Sequence, residues 1–134
     1  MIISTKGRYA LRMMIDLAQH QEEDYVPLKE IAARQGISEK YLEAIIKVLV
    51  QHKMVTGLRG KKGGCKLCKP PAAYTAWDII SVIENDFFVV SCLVPDAPAC
   101  NRAQDCATLP MWKDFNKNLY DFFQRYTLET LAQQ

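Results

Sequence analysis

The feature that most constrains the fold is Gly36, a glycine between two short stretches that have the apolar spacing of helices. Pro27 can open the first stretch, because proline suits the first turn of a helix, and Gly36 can end it where a positive φ is needed. Ser38 can cap the second stretch. Two short helices joined by a tight glycine turn form a helix-turn-helix, whose second helix can enter the major groove of DNA. The apolar positions of the two stretches are Leu28, Ile31, Ala32, Tyr41, Leu42, Ile45, Ile46, Leu49 and Val50.

A helix is predicted before this unit and a hairpin after it. Residues 4–19 carry apolar side chains at helical spacing. After Lys53 the period changes, and residues 54–58 and 65–68 are predicted to form paired strands. Their connection, residues 59–64, holds three basic residues and three glycines, so it can approach a phosphate backbone closely. A nucleotide-binding loop is disfavoured because no Gly-Lys-Ser/Thr ending is present. A helix-turn-helix followed by a basic hairpin is a winged helix.

The second half of the chain predicts a connecting helix, a loop and a long terminal helix. Thr75 or Asp78 can cap the connecting helix. Residues 86–110 show no clear element and contain three prolines and three cysteines, and a loop of this length is usually functional or disordered. The terminal helix carries a seam spaced by three and four residues, typical of a coiled coil, and we expect it to pair two copies rather than pack on its own domain. The seam residues are Trp112, Phe115, Leu119, Phe122 and Tyr126.

These patterns predict a mainly α fold with a small β-hairpin. Residues 1–70 are expected to form a winged helix-turn-helix DNA-binding domain. Residues 71–134 are expected to hold the connecting helix, the cysteine loop and a long C-terminal dimerisation helix. The overall composition, 49% apolar and 24% charged, is that of an ordinary globular chain.

The charge is unevenly distributed between these two halves. Residues 1–70 contain 13 Lys and Arg against 7 Asp and Glu, whereas residues 71–134 contain 4 against 8. The first half is therefore basic by +6 and the second acidic by −4. A basic half is expected of a nucleic-acid surface, because each neutralised phosphate releases counterions. A solvated surface without a partner is the alternative interpretation.

The chain is expected to be cytoplasmic and to have no membrane partner. No apolar stretch approaches the roughly 20 residues that cross a bilayer. The first residues also lack the succession of basic, apolar and small residues that forms a signal peptide. Five cysteines in a reducing compartment favour metal or redox chemistry over structural disulfides. No local motif for nucleophilic catalysis is present, so we predict that the protein is not an enzyme, and a cysteine-dependent redox enzyme is the weakest hypothesis.

Four motifs in order resemble one known family. Together they resemble the winged-helix transcriptional regulator family that includes IscR, NsrR and CymR, over nearly the whole chain. The resemblance implies a bacterial homodimer, often a repressor, that binds a palindromic operator in duplex DNA. The motifs are Ile3-Ser4-Thr5-Lys6-Gly7-Arg8-Tyr9-Ala10, Gly36-Ile37-Ser38 with Tyr41-Leu42-Glu43, Arg59-Gly60-x-x-Gly63-Gly64, and Asp78-Ile79-Ile80 through Glu84.

The expected DNA-binding residues lie on the second helix of the helix-turn-helix, on the wing and at the start of the chain. Glu43 can accept a hydrogen bond from cytosine N4 or exclude wrong bases, whereas the wing lysines are expected to contact phosphates. The full set is Ser4, Lys6, Ser38, Lys40, Tyr41, Glu43, Lys47, Arg59, Lys61 and Lys62.

In many members of the family, three cysteines before the dimerisation helix hold an iron-sulfur cluster, and here they match Cys92, Cys100 and Cys106. The resemblance implies a 2Fe-2S cluster in preference to a 4Fe-4S cluster. Thiolates are the soft ligands that such clusters need, although zinc accepts them too. The fourth ligand is unassigned, because the family's histidine and carboxylate positions hold Leu109 and Arg8, which cannot ligate.

Two further interpretations remain open at the sequence level. One is a regulator of the same fold that has no cluster and responds to thiol oxidation, zinc or a partner protein. The other concerns the CxxC pair Cys65 and Cys68 in the wing. A thioredoxin-like site needs a βαβ context and a zinc ribbon needs a second CxxC, so both cysteines are predicted to be small strand residues.

Overall fold

The computed structural model describes residues 2–60, 63–85 and 87–134, and it is mainly helical with one antiparallel hairpin. This architecture confirms the predicted winged helix-turn-helix followed by a long helix. Short 3₁₀ turns lie at Pro71–Ala73 and Ser91–Leu93. The main elements are α1 (Thr5–Gln19), α2 (Leu28–Gln35), α3 (Glu39–Gln51), β1 (Val55–Leu58), β2 (Gly64–Leu67), α4 (Ala76–Glu84), α5 (Leu109–Gln124) and α6 (Leu128–Ala132).

The helix boundaries follow from the capping residues. Ser4 accepts a hydrogen bond from the Gly7 N–H at 3.0 Å and caps α1. Ser38 accepts one from the Tyr41 N–H at 3.1 Å and caps α3. Gly36 ends α2 with φ +65°, a conformation that costs side-chain-bearing residues energy, so the glycine fixes the tight turn into α3.

The hairpin forms the wing and is attached to the start of α2. In its register Val55 pairs with Leu67 and Leu58 with Gly64. Cys65 and Val26 exchange backbone hydrogen bonds at 2.9 and 3.0 Å, so Val26 forms an isolated antiparallel bridge to β2. Gly64 has φ +155°, and a Cβ there would collide with the Val26 backbone. Close contact between wing and α2 therefore depends on a glycine.

One hydrophobic core joins residues from both halves of the chain. The helices α1, α2, α3, α4 and α6 all contribute to it, and burial of each large apolar side chain contributes about 1.5 to 3 kcal/mol. The predicted domain boundary at residue 70 stays a prediction, and this core contains residues from both sides of it. Its fully buried members include Met13, Met14, Ile31, Leu42, Ile45, Leu49, Ile79 and Leu128.

The last helix, α6, was not predicted from the sequence. The Ala76 N–H donates to the Tyr126 carbonyl at 2.8 Å, and the Leu128 N–H donates to the Tyr74 carbonyl at 3.0 Å. These bonds return the chain to the start of α4, and Leu128 then enters the core. The long helix α5 is thus fixed to the winged domain at its C-terminal end. Within the described ranges, no helix is both long and apolar enough to cross a membrane.

Candidate nucleic-acid interface and cysteine loop

A buried carboxylate fixes α2 against α1. Asp16 on α1 is 1% exposed. Arg34 binds both of its oxygens, from Nη2 to Oδ1 at 2.7 Å and from Nε to Oδ2 at 3.0 Å, and Gln35 Nε2 donates to Oδ2 at 2.9 Å. Burial alone would raise the pKa of Asp16, but the hydrogen bonds from Arg34 and Gln35 and the Arg34 charge outweigh it and hold this pKa below its ordinary value. This network was not predicted from the sequence, although Asp16 is a carboxylate on the apolar face of the predicted first helix.

A groove of 790 Å³ separates α3 from the wing and ends at the start of α2. Lys29, Lys47 and Arg59 bring positive charge to its edges, and Glu43 brings one carboxylate. Apolar residues also line the groove, among them Leu58, which is 47% exposed. The helix-turn-helix and the wing therefore present one continuous and mainly basic surface.

The expected DNA-binding residues fall into three groups in the structure. The residues at and after the N-cap of α3, and the one just after β1, are exposed. Of these, Glu43, Lys47 and Arg59 line the groove. Ser4 and Lys6 are half-buried at the start of α1. Lys61 and Lys62 lie outside the described residues. The DNA contacts of the whole set stay predictions. The exposed residues are Ser38, Lys40, Tyr41, Glu43, Lys47 and Arg59.

Ser4 has its polar groups engaged within the fold. Its hydroxyl donates to Glu84 Oε1 at 2.6 Å, and its backbone N–H donates to the same oxygen at 2.9 Å. The hydroxyl also accepts from the Gly7 N–H. The N-terminus of α1 is thus bound to the last residue of α4, from which the cysteine loop departs. The predicted contact between Ser4 and DNA would have to use an oxygen that already caps a helix.

The three loop cysteines lie between α4 and α5 and are solvent-accessible. Cys92 and Cys100 are exposed and Cys106 is half-buried. Across the described residues, no three His, Cys, Asp or Glu side chains are grouped closely enough to hold a metal ion. The donor chemistry of three thiolates suits an iron-sulfur cluster, but the loop in this conformation does not gather them. The predicted ligand set therefore stays a prediction.

Cys106 lies just before α5 and has a distinct environment. Its Sγ is 3.4 Å from the Thr108 hydroxyl oxygen. Hydrogen bonds from the Thr108 side chain and backbone stabilise the thiolate and hold the pKa of Cys106 below the usual thiol value.

The two wing cysteines do not form a paired site. Cys65 is 1% exposed and packs in the core, where burial raises its pKa to about 12. Cys68 is exposed, and its Sγ lies 3.2 Å from the Thr56 hydroxyl. Cys65 lies in β2, whereas Cys68 lies one residue beyond its end, so the predicted strand role of Cys68 is not met and that of Cys65 stays a prediction.

The long helix α5 has no buried residue along its 16 positions. One side packs on the winged domain, where the Tyr120 ring contacts Trp77 at a centroid distance of 5.0 Å. The other side leaves Phe115 and Phe122 48% and 43% exposed. Phe115 and Phe122 lie two helical turns apart on one side of α5, and the other predicted seam residues, Trp112, Leu119 and Tyr126, are half-buried.

Comparisons with known proteins agree with this architecture. A model of the Rrf2 family, described as an iron-dependent transcriptional regulator, matches residues 3–134. The HTH-type transcriptional regulator IscR of Erwinia tasmaniensis is 34% identical over 132 residues, which cover 98% of this chain and 79% of that protein.

Two solved structures are also similar over nearly the whole chain. CymR, the global cysteine regulator of B. subtilis, aligns with a TM-score of 0.78 and 36% identity, covering 99% of this chain and 97% of that chain. The oxidized form of Staphylococcus aureus CymR aligns with a TM-score of 0.77 and 30% identity, covering 100% of this chain and 98% of that chain. These relatives are named as regulators, a class of proteins that is not enzymatic.

Proposed function

This chain belongs to the Rrf2 family of transcriptional regulators, and on that premise we propose that it is a homodimeric, cytoplasmic protein that binds a palindromic operator in duplex DNA. The observation that carries the proposal is the basic surface shared by α3 and the wing, where Lys47 and Arg59 border one groove beside Glu43. A basic surface around an exposed recognition helix is suited to a DNA duplex.

The residues of this surface have two different tasks in the proposal. Lys47 and the wing cations neutralise phosphates, which gives affinity without reading sequence. Glu43 accepts a hydrogen bond from an exposed cytosine N4 and repels the acceptor-rich edges of other bases. Sequence preference is thus assigned to Glu43, and most of the affinity to the cations around it.

The dimer is proposed to form through the exposed side of α5. Pairing two copies removes Phe115 and Phe122 from water and relates the two winged domains by a two-fold axis. Two recognition helices so related can enter successive major grooves about 34 Å apart, which makes the operator a palindrome.

Signal reception is proposed to occur in the cysteine loop. Cys92, Cys100 and Cys106 would hold an iron-sulfur cluster, which supplies iron that reacts with oxidants or nitric oxide. Support comes from the thiolate donor set, from the iron-dependent description of the family and from the IscR relative. The loop joins α4, which packs in the winged domain, to α5, so its conformation can affect how two DNA-binding domains are spaced.

A second form of signal reception needs no cluster. The exposed thiols of Cys92 and Cys100 are open to oxidants in the present conformation, and a similar structure is that of an oxidized CymR. In this form, oxidation of loop thiols changes the loop, and the DNA-binding surface responds.

Fluorescence anisotropy with a duplex selected from a random library tests the DNA-binding proposal. Lys47→Ala should weaken all duplexes about equally and reduce the salt slope by about one unit per lost contact, whereas Glu43→Ala should relax sequence preference. The matched control is Lys117→Ala, which removes the same charge from α5. Binding that ignores salt, or equal effects of Lys47→Ala and Lys117→Ala, would contradict the proposal.

Anaerobic reconstitution with iron and sulfide separates the two forms of signal reception. A cluster protein should absorb visible light and lose that absorbance in each of Cys92→Ala, Cys100→Ala and Cys106→Ala, while Cys68→Ala keeps it. If wild-type protein stays colourless and iron-free with its thiols reduced, the cluster form is wrong. DNA affinity measured before and after mild oxidation then tests the thiol form.

A further inference from the structure

Arg12 lies on the exposed side of α1, beside the turn that leads into the recognition helix α3. Its Nε donates to Gln35 Oε1 at 3.2 Å, and its Nη2 donates to the Gln35 backbone carbonyl at the end of α2. Its guanidinium carbon lies 5.3 Å from the centroid of the Tyr9 ring. These three contacts hold the guanidinium in one place and leave Nη1 without an acceptor among the described residues.

The orientation of Gln35 is itself determined by the core. Its Nε2 donates to the buried Asp16 Oδ2 at 2.9 Å, so Oε1 must point away from Asp16 and towards Arg12. An amide bound at both ends cannot rotate without loss of a hydrogen bond. The buried carboxylate thus positions an exposed cation through one intervening side chain.

Arg12 is also connected to the recognition helix. The Tyr9 ring, on which the guanidinium packs, contacts the Tyr41 ring edge-on at a centroid distance of 5.5 Å and an angle of 72°. Tyr41 is 36% exposed and follows the N-cap Ser38 by three residues. The cation therefore stands next to the end of α3 that approaches DNA in a helix-turn-helix.

The charge of Arg12 is not neutralised within the described part of the chain. Among those residues, the ion pairs of the surface cations join Arg34 to Asp16 and Glu30, Lys66 to Asp24, and Lys117 to Asp121. No carboxylate lies within 4.0 Å of Arg12 in the same set. A guanidinium that has no carboxylate partner and a free Nη1 can bind an external anion, and a phosphate oxygen fits this fork geometry.

We propose that Arg12 binds a backbone phosphate of duplex DNA beside the recognition helix, and that Gln35 is its positioning residue. The proposal rests on the proposed DNA-binding function and extends that surface from α3 and the wing onto α1. Because the guanidinium is already fixed, little side-chain freedom is lost when the phosphate binds. The contact is to phosphate, so it strengthens binding to every sequence alike.

The test measures the Kd of the library-selected duplex over a range of salt concentrations, with a duplex of about 30 base pairs so that it spans two successive major grooves. Arg12→Ala should weaken binding by about tenfold per lost contact near 0.1 M salt and lower the salt slope by about one unit per contact. Arg12→Lys keeps the positive charge but loses the planar guanidinium with its paired donors. It should therefore keep the salt slope and bind DNA more weakly. Gln35→Met should also keep the salt slope and weaken binding, because it removes the side-chain oxygen that holds the Arg12 guanidinium in place.

The matched control is Lys117→Ala, which removes an exposed positive charge from the side of α5 opposite the proposed dimer seam. It should leave the slope unchanged. Thermal unfolding of each variant shows whether the fold is intact, and if Arg12→Ala is unfolded, Arg12→Lys and Gln35→Met carry the test. Folded variants that bind DNA like wild type would overturn the phosphate assignment alone. Wild-type protein that fails to bind the duplex would overturn both this assignment and the proposed function.

Discussion

Glu84 accepts two hydrogen bonds from Ser4, a residue 80 positions earlier in the chain, at 2.6 Å from the hydroxyl and 2.9 Å from the backbone N–H. The carboxylate thereby lies at the N-terminus of α1, where the helix dipole favours negative charge. Gly7 lies beneath it and has no Cβ, and a Cβ at that position would collide with the Glu84 oxygen. The start of α1 and the end of α4 meet this closely because residue 7 is a glycine.

The first prediction concerns this close contact. Gly7→Ala should destabilise the protein by about 1 to 3 kcal/mol, because the added methyl displaces the Glu84 carboxylate and breaks its two hydrogen bonds from Ser4, a loss that outweighs the better helix propensity of alanine. Urea unfolding measures the difference. The double variant Gly7→Ala with Glu84→Ala should be more stable than Glu84→Ala alone, because no carboxylate is then displaced and alanine is the better helix former. Gly57→Ala, on an open stretch of β1, is the control and should be nearly neutral, so equal losses at both glycines would contradict the prediction.

The second prediction concerns the buried ion pair. Arg34→Met should cost about 3 to 5 kcal/mol of unfolding free energy, because it leaves the Asp16 carboxylate buried without its main partner. Glu30→Gln removes only the exposed ion pair to Arg34 and should cost less than about 1 kcal/mol. Chemical denaturation of both variants at neutral pH makes the comparison. A loss for Arg34→Met as small as that for Glu30→Gln would show that Asp16 is not held by this pair.

The third prediction is a pH dependence of stability. The folded-state pKa of Asp16 lies below its unfolded value of about 3.9, so its ion pair stabilises the fold fully above that pH. The stabilisation should fade as pH falls through the lowered folded pKa, because protonation then removes the charge that Arg34 binds. Urea unfolding of wild type and Asp16→Asn at successive acid pH values should show a steeper loss in wild type. Parallel curves would contradict it.

The fourth prediction is an order of thiol reactivity. Cys65 is buried with its pKa raised to about 12, so it should resist alkylation at neutral pH, while exposed Cys68 and Cys92 should react. Mass spectrometry after brief iodoacetamide treatment can locate the modified residues. Unfolding in urea should make Cys65 reactive as well. Rapid native labelling of Cys65 would show that the wing opens from the core.

The fifth prediction concerns the exposed side of α5. Replacing Phe115 and Phe122 by Glu should yield folded monomers, because charges in the proposed seam cannot be buried between two copies. The control replaces Lys113 and Lys117 by Gln, which changes the net charge equally on the opposite side of the helix. Sedimentation should show monomers for the first pair and dimers for the second. If the Phe variants remain dimeric, the dimer uses another surface.

Much of the winged domain followed from local sequence signals. Gly36, Ser38 and the change of period after Lys53 each act within a few residues, so a cap, a turn or a strand can be recognised without knowledge of the rest of the chain. The structure has each of these features where the pattern predicted it, with strand ends within one residue.

Other features depend on residues that are distant in sequence. The sequence did not predict α6, because its five residues are too short to show a period and its place depends on pairing with Tyr74 and Ala76. Asp16 gave a signal as a carboxylate on an apolar face, but its partners Arg34 and Gln35 belong to another helix.

By itself, the sequence determined the elements of this protein apart from α6, their order and the basic character of its first half, because these depend on spacing, capping and charge along the chain. Only the tertiary structure decided which side chains meet. It placed Glu84 on Ser4 and used Asp16 and Gln35 to position Arg12. Such contacts form when the shared core brings α1, α2 and α4 together, and their geometry is set by packing in three dimensions rather than by any local pattern.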